Sequence, residues 1–136
     1  MCELEFNDLR LRGTFALPTD ASDLNHMGFV FQFGSGPRVY VTGDTADHEL
    51  LAAAARFEPD LMITVINGGF NNLSHWEAAG LAAKIKPRAA IPCHYDMFPD
   101  NSVPPSQFRA ALGVRAPEVR YQELRHGEPF LFSPDL

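Results

Sequence analysis

The run VYVTGDT, Val39 to Thr45, reads as an apolar strand that stops on a glycine and hands a carboxylate to the start of a helical pattern. The C-terminal edge of a sheet, where strand gives way to helix, is where α/β proteins assemble sites. Asp44 therefore has two readings. It is a site carboxylate, or with Thr45 it caps the helix that follows, since short polar side chains accept from the free N–H groups of a first helical turn. Upstream, Met27 to Phe33 and Arg38 to Gly43 form a hairpin across Gly34, Ser35, Gly36 and Pro37. Leu9, Leu11, Phe15 and Leu17 fall at odd positions among polar residues, the period-2 pattern of a half-buried strand, with Cys2 to Phe6 as its partner. Between these pairs, Pro18 to His26 is dense in Asp, Ser, Thr, Asn and Pro, a loop composition.

Downstream of Gly43 the period lengthens. Ala46 to Arg56 reads as a helix, Leu61 to Ile66 as a short apolar strand, Ser74 to Lys86 as a second helix and Ala89 to His94 as another strand. Ser74 followed by Glu77 is a capping box, and Pro87 stops that helix. Pro104 to Leu112 reads as a third helix, and Glu118 to Leu124 with Pro129 to Phe132 as a closing hairpin. Strands apolar on both faces belong to a sheet covered by other layers.

The second strand end, Ile91-Pro92-Cys93-His94-Tyr95-Asp96, again turns from apolar to polar, now at a histidine. Histidine is the commonest neutral metal ligand and the usual acid or base near neutral pH. A lone one is more often structural, but Asp44 and His94 occupy equivalent ends of neighbouring βα units, so one sheet edge holds both. The loop Ile66 to His75 faces the same edge. Its Gly68 and Gly69 permit close backbone approach, and Asn67, Asn71 and Asn72 offer donors and acceptors; a turn with an Asn-rich cap is the competing reading. His48 and His126 read as surface residues, and His75 as first-turn surface.

Composition bounds the rest. At 136 residues the chain is one domain, with 46% hydrophobic and 21% charged residues. A net charge of -6 with scattered basic residues argues against nucleic acid. No apolar run approaches the roughly 20 residues of a membrane span, and no leader pattern opens the chain. Cys2 and Cys93 form no CxxC pattern, which fits a reducing cytoplasm.

Taken together, the Gly-Asp-Thr after a strand, the Asn67-Gly68-Gly69-Phe70-Asn71-Asn72 loop and the Cys93-His94-Tyr95-Asp96-Met97-Phe98 strand end resemble the second half of metallo-β-lactamase-fold metallohydrolases. From Met27 to about Phe108 the resemblance is to the ascorbate-phosphate-lactonase-like branch. It implies an α/β (α+β) fold, half of an αββα sandwich: a mixed sheet with helices on one face, residues 1–136 forming a single partial domain without the N-terminal half. By resemblance, Asp44 matches the carboxylate bridging two divalent metal ions, zinc or manganese, and His94 matches the last histidine ligand. Asn67, Asn71 and Tyr95 line the substrate side, and Asp96 handles protons beside Asp44 and His94. The family's H-x-H-x-D-H is absent, because none of the five histidines stands in that spacing. The intervening ligand expected in the loop Pro18 to His26 has only Asp20, Asp23 and His26 as substitutes, with Asp20 the metal ligand we assign, since carboxylates bind zinc, manganese or iron.

The activity so implied is hydrolysis of an ester, lactone or phosphoester bond by metal-bound hydroxide, on a small-molecule substrate, anionic ones included. The alternatives are a truncated non-catalytic module, or a subunit of a split hydrolase whose partner carries H-x-H-x-D-H. An ordinary zinc site needs three or four protein ligands, so the isolated chain is expected to be inactive. Finally, Met27, Phe29, Phe31 and Phe33 share one strand face, which the chain's helices do not cover if they lie on the other; a homodimer or a partner chain is expected there.

Overall fold

The computed structural model describes residues 3–21, 25–96 and 98–133. Seven strands form one sheet in sequence order. They are β1 (Glu3–Phe6), β2 (Leu9–Phe15), β3 (Met27–Phe33), β4 (Arg38–Val41), β5 (Leu61–Val65), β6 (Ala89–Cys93) and β7 (Arg120–Tyr121). β1 to β4 pair antiparallel as hairpins and a meander. β4 to β7 pair parallel, each connection carrying a helix. Crossovers between parallel strands are right-handed almost without exception, so connections that step repeatedly in one direction leave all their helices on one face. This is the mixed α/β sheet that the pattern of elements implies.

The helices are a 3-10 segment, α1 (Glu49–Phe57), then α2 (His75–Ile85) and α3 (Pro105–Arg115). The second is the one best specified locally. Ser74 accepts from the Glu77 N–H and the Glu77 carboxylate reaches back to the Ser74 N–H, and Lys86 in a left-handed conformation ends the helix before Pro87. α3 packs on α2, where the Arg115 guanidinium lies 5.0 Å from the Trp76 ring and donates to the Trp76 carbonyl. Val30, Tyr40, Met62 and Ala90 from the sheet meet Leu51, Leu81, Phe108 and Leu112 from the helices in the main core.

Two local expectations are corrected. The first helix does not begin at Ala46: the Ala46 N–H is taken by the Leu17 carbonyl, and His48 is the N-cap, its Nδ1 accepting from the Leu50 N–H. His48 is exposed, as expected of a surface residue, and in addition caps this helix. Leu51 and Ala54, the buried positions, are three residues apart, which matches the 3.0-residue turn of a 3-10 helix. The closing hairpin is also absent among the described residues. β7 joins β6 in parallel, Arg120 N–H donating to the Arg88 carbonyl and Gln122 N–H to that of Ala90, while residues 129–132 form no strand.

The opposite sheet face is covered only in part. Leu61, Ala89 and Ile91 sit under Leu124 and Phe132. Over β1 to β3, Leu4, Phe6, Phe15, Met27 and Phe33 on that face are exposed among the described residues.

Candidate functional site

The edge at the C-terminal ends of β4, β5 and β6 gathers most of the residues singled out from sequence. After β4 the chain turns at Gly43, whose φ is +64° and where a Cβ would lie 2.5 Å from the Met27 carbonyl oxygen, so only glycine fits. That turn projects Asp44, half exposed. With His48 as the cap, Asp44 has no capping role in the helix, and the N-cap reading falls away. Thr45 instead ties the loops together. Its hydroxyl accepts from the Leu17 N–H at 2.8 Å, its carbonyl from the Leu73 N–H at 2.9 Å, and its own N–H donates to Asn72 Oδ1 at 3.0 Å.

His94 follows β6 directly, in the left-handed region at φ +58°, with Asp96 likewise at +55°. Such conformations cost a non-glycine residue about 1 kcal/mol or more and persist where the surroundings fix them, a pattern common at functional sites. The His94 Nε2 lies 3.5 Å from Asp44 Oδ2, so the two strand ends do converge. On the other side of the ring, Nδ1 lies 3.2 Å from Asn101 Nδ2. Asn101 Oδ1 accepts from Asn67 Nδ2 at 2.7 Å, and that nitrogen also donates to the Gly69 carbonyl at 3.1 Å. Asn101 and Asn67 are 2% and 6% exposed.

The remaining candidates are placed less centrally. Asn71 is exposed and donates to the Thr19 carbonyl, next to Asp20. Asp96 is exposed and accepts from the Ser102 hydroxyl at 2.9 Å. Tyr95 is half-buried; burial, then the charge of Glu123, pushes its phenol above the ordinary value, so it acts as a neutral hydrogen-bonding group. His26 Nδ1 donates to the Leu17 carbonyl at 3.2 Å. Asp23 lies outside the described residues. Among the described residues, no three His, Cys, Asp or Glu side chains are grouped so as to hold a metal ion, so Asp20 does not complete a three-ligand set with Asp44 and His94. The donor set of the described residues alone does not fit a metal ion.

Sequence reasoning missed two features. Asn101 has no motif to announce it. His126, read as idle surface, lines with Leu124, Arg125, Ile63, Ile91, Cys93 and His94 a cleft of about 400 Å³. Burial, then the Asp44 charge, pushes the Cys93 thiol up to about 12, so it is a thiol and no nucleophile at neutral pH.

Tyr40, wholly buried, is also pushed up to about 12 by burial. These two groups set an alkaline limit. Above about pH 9 the unfolded thiol ionises first and the unfolded phenol next, while the folded chain keeps both protons. The unfolded state then binds fewer protons, so stability falls as pH rises. The melting temperature is expected to be flat from pH 7 to about 8.5 and to drop by several degrees toward about pH 10.5, with a shallower drop in Cys93→Ala. A flat profile in both proteins would show that neither group is held protonated.

No family model matches the chain. It is 38% identical over 110 residues to a UPF0173 metal-dependent hydrolase from Anaeromyxobacter sp. (strain K), an alignment covering 79% of this chain and 39% of that protein. Among solved structures it is similar to the metallo hydrolase Igni18 from Ignicoccus hospitalis, with a TM-score of 0.82 at 20% identity over 98% of this chain and 59% of that one. The metallo-β-lactamase-fold protein YhfI from Bacillus subtilis gives a TM-score of 0.72 at 13% identity over 93% and 51% of the two chains. No helix among the described residues is long and apolar enough to cross a membrane. The chain thus has the metallo-β-lactamase fold over the length it spans and is a relative of the UPF0173 metal-dependent hydrolases, of which it spans about two fifths.

Proposed function

We propose that this chain supplies one edge of a metal-dependent hydrolase site, the edge carrying Asp44 and His94, and that the site is completed by ligands from outside the described residues. The observation that carries the reading is the convergence of Asp44 and His94 to 3.5 Å from two strand ends of one sheet. Zinc or manganese, two ions in a complete site, would supply the polarising charge and the activated water. The chain's own residues do the rest. Ile63 and Ile91 give the cleft apolar lining, Tyr95 offers a hydrogen bond, and Arg125 and His126 bring positive charge or donors to it. That combination suits a small substrate with an anionic group and an ester, lactone or phosphoester bond. The residues of the Asn67 loop and of the Cys93–Phe98 segment support the lactonase-like branch within the superfamily. A reducing cytoplasm suits the free, half-buried Cys93 thiol.

A second reading, a non-catalytic module or one subunit of a split hydrolase, is favoured by the lack of a three-ligand group among the described residues. Both readings expect the purified chain to hold zinc or manganese weakly and below one ion per chain, read by elemental analysis after desalting. Two tightly held ions would overturn the incomplete-site account. Recovery of hydrolase activity when a segment carrying H-x-H-x-D-H is co-expressed separates a catalytic from a non-catalytic chain: the first reading and the split hydrolase both expect it, and the non-catalytic module expects none.

A further inference from the structure

We propose that Asn101 is a positioning residue that fixes the tautomer of His94, holding the neutral ring with its proton on Nε2, toward Asp44, and so covering the lone pair a metal ion would take. The argument starts from a group whose role is unambiguous. The Gly69 carbonyl can only accept, so the Asn67 atom 3.1 Å from it is the amide nitrogen. The same nitrogen lies 2.7 Å from the Asn101 side chain, so the Asn101 atom facing it is the oxygen. That leaves the Asn101 nitrogen, which only donates, 3.2 Å from His94 Nδ1. Nδ1 must therefore be the acceptor, and the proton of the neutral ring sits on Nε2.

Turning the relay over sets like atoms against each other, even though Asn67 Oδ1 as placed is buried without a hydrogen-bond partner. Reversing Asn101 would set its nitrogen against that of Asn67, and reversing Asn67 as well would set oxygen against the Gly69 carbonyl. Both amides are nearly wholly buried, so water does not substitute. The Asn67 backbone is also held by its bridge to Ser74 and by the Gly68 N–H donating to the Leu73 carbonyl. Metal-binding histidines show the opposite arrangement, with the second ring nitrogen donating its proton to a carboxylate or carbonyl. The Asp44–His94 pair is accordingly arranged as an N–H facing a carboxylate. As a statement about metal access the inference rests on His94 being a metal ligand, whereas the tautomer does not depend on that.

The test is nitrogen NMR of the ring-labelled, metal-free chain in alkaline buffer, with the His94 signals assigned by their loss in His94→Gln. A pyridine-type Nδ1 and a pyrrole-type Nε2 are expected; the reverse pattern, or an even mixture, overturns the proposal. Asn101→Asp keeps the bond from Asn67 and lets a carboxylate accept from Nδ1–H, so the pattern should invert; Asn101→Leu should give a mixture if the aspartate variant does not fold. An unmoved pattern in a folded variant overturns the proposal too. Zinc ions alone should bind Asn101→Asp about tenfold or more tightly than the parent chain, with the gain abolished in Asn101→Asp/His94→Gln. An inverted tautomer with the zinc gain unaffected by His94→Gln would uphold the positioning role and remove His94 from the metal site.

Discussion

Expressed by itself, the chain is expected to self-associate and to bind dyes that report apolar surface. The pairing registers place Leu4, Phe6, Leu9, Leu11, Phe15, Met27, Phe29, Phe31 and Phe33 on one sheet face, opposite residues in an antiparallel ladder sharing a side. Among them Leu4, Phe6, Phe15, Met27 and Phe33 are 47% to 74% exposed. On the other face of β1 and β2 stand Glu3, Glu5, Arg10 and Arg12, joined by ion pairs of 2.9 and 3.2 Å. That charged face suits water; the aromatic one does not. The five exposed side chains offer on the order of 500 Å² of apolar surface, at the upper end for a monomer's largest patch. Covering it is worth up to about 12 kcal/mol at about 25 cal/mol per Å², comparable to the whole stability of a domain. We therefore propose that a second copy or a partner chain covers it. Light scattering should show a species larger than the monomer, and Phe6→Lys with Phe33→Lys should return it to the monomer and weaken dye binding several-fold. A monomer at high concentration with no dye binding would contradict the open-face account.

The second large effect concerns the strand-edge pair. In the hydrolase formed with a segment carrying H-x-H-x-D-H, Asp44→Ala and His94→Ala are each expected to lower kcat/KM by about 100-fold or more, since each removes a donor at the reacting centre. His48→Asn, which keeps a capping side chain on the first helix, should stay near wild type. His126→Ala should fall between them and act mainly on KM, because His126 lines the same cleft as His94 but is not one of the strand-edge pair. Equal losses in all variants would mean that the edge has no special role.

What the sequence made legible was local or periodic. The α2 capping box lies within four residues, and the β3–β4 hairpin is set by its turn, so both were readable. That Asp44 and His94 share one edge was readable because strand ends in βα units face it. What escaped depends on contacts far apart in the chain. The first helix starts late because Ala46 bonds Leu17, and β7 runs parallel because its N–H groups find Arg88 and Ala90. Asn101 reaches Asn67 across 34 residues, with nothing in its own neighbourhood, Pro99 to Val103, to mark it. His126 enters the cleft through a C-terminal segment whose path follows the sheet, where the sequence pattern suggested a hairpin.

The most direct test is the metal content of the assembled protein. With the completing segment bound, the wild-type chain should carry close to two zinc or manganese ions per site, and Asp44→Ala/His94→Ala should lose at least one of them under the same desalting. Unchanged metal content in the double variant would contradict the account, because the metal site would then lie wholly outside this chain's strand edge.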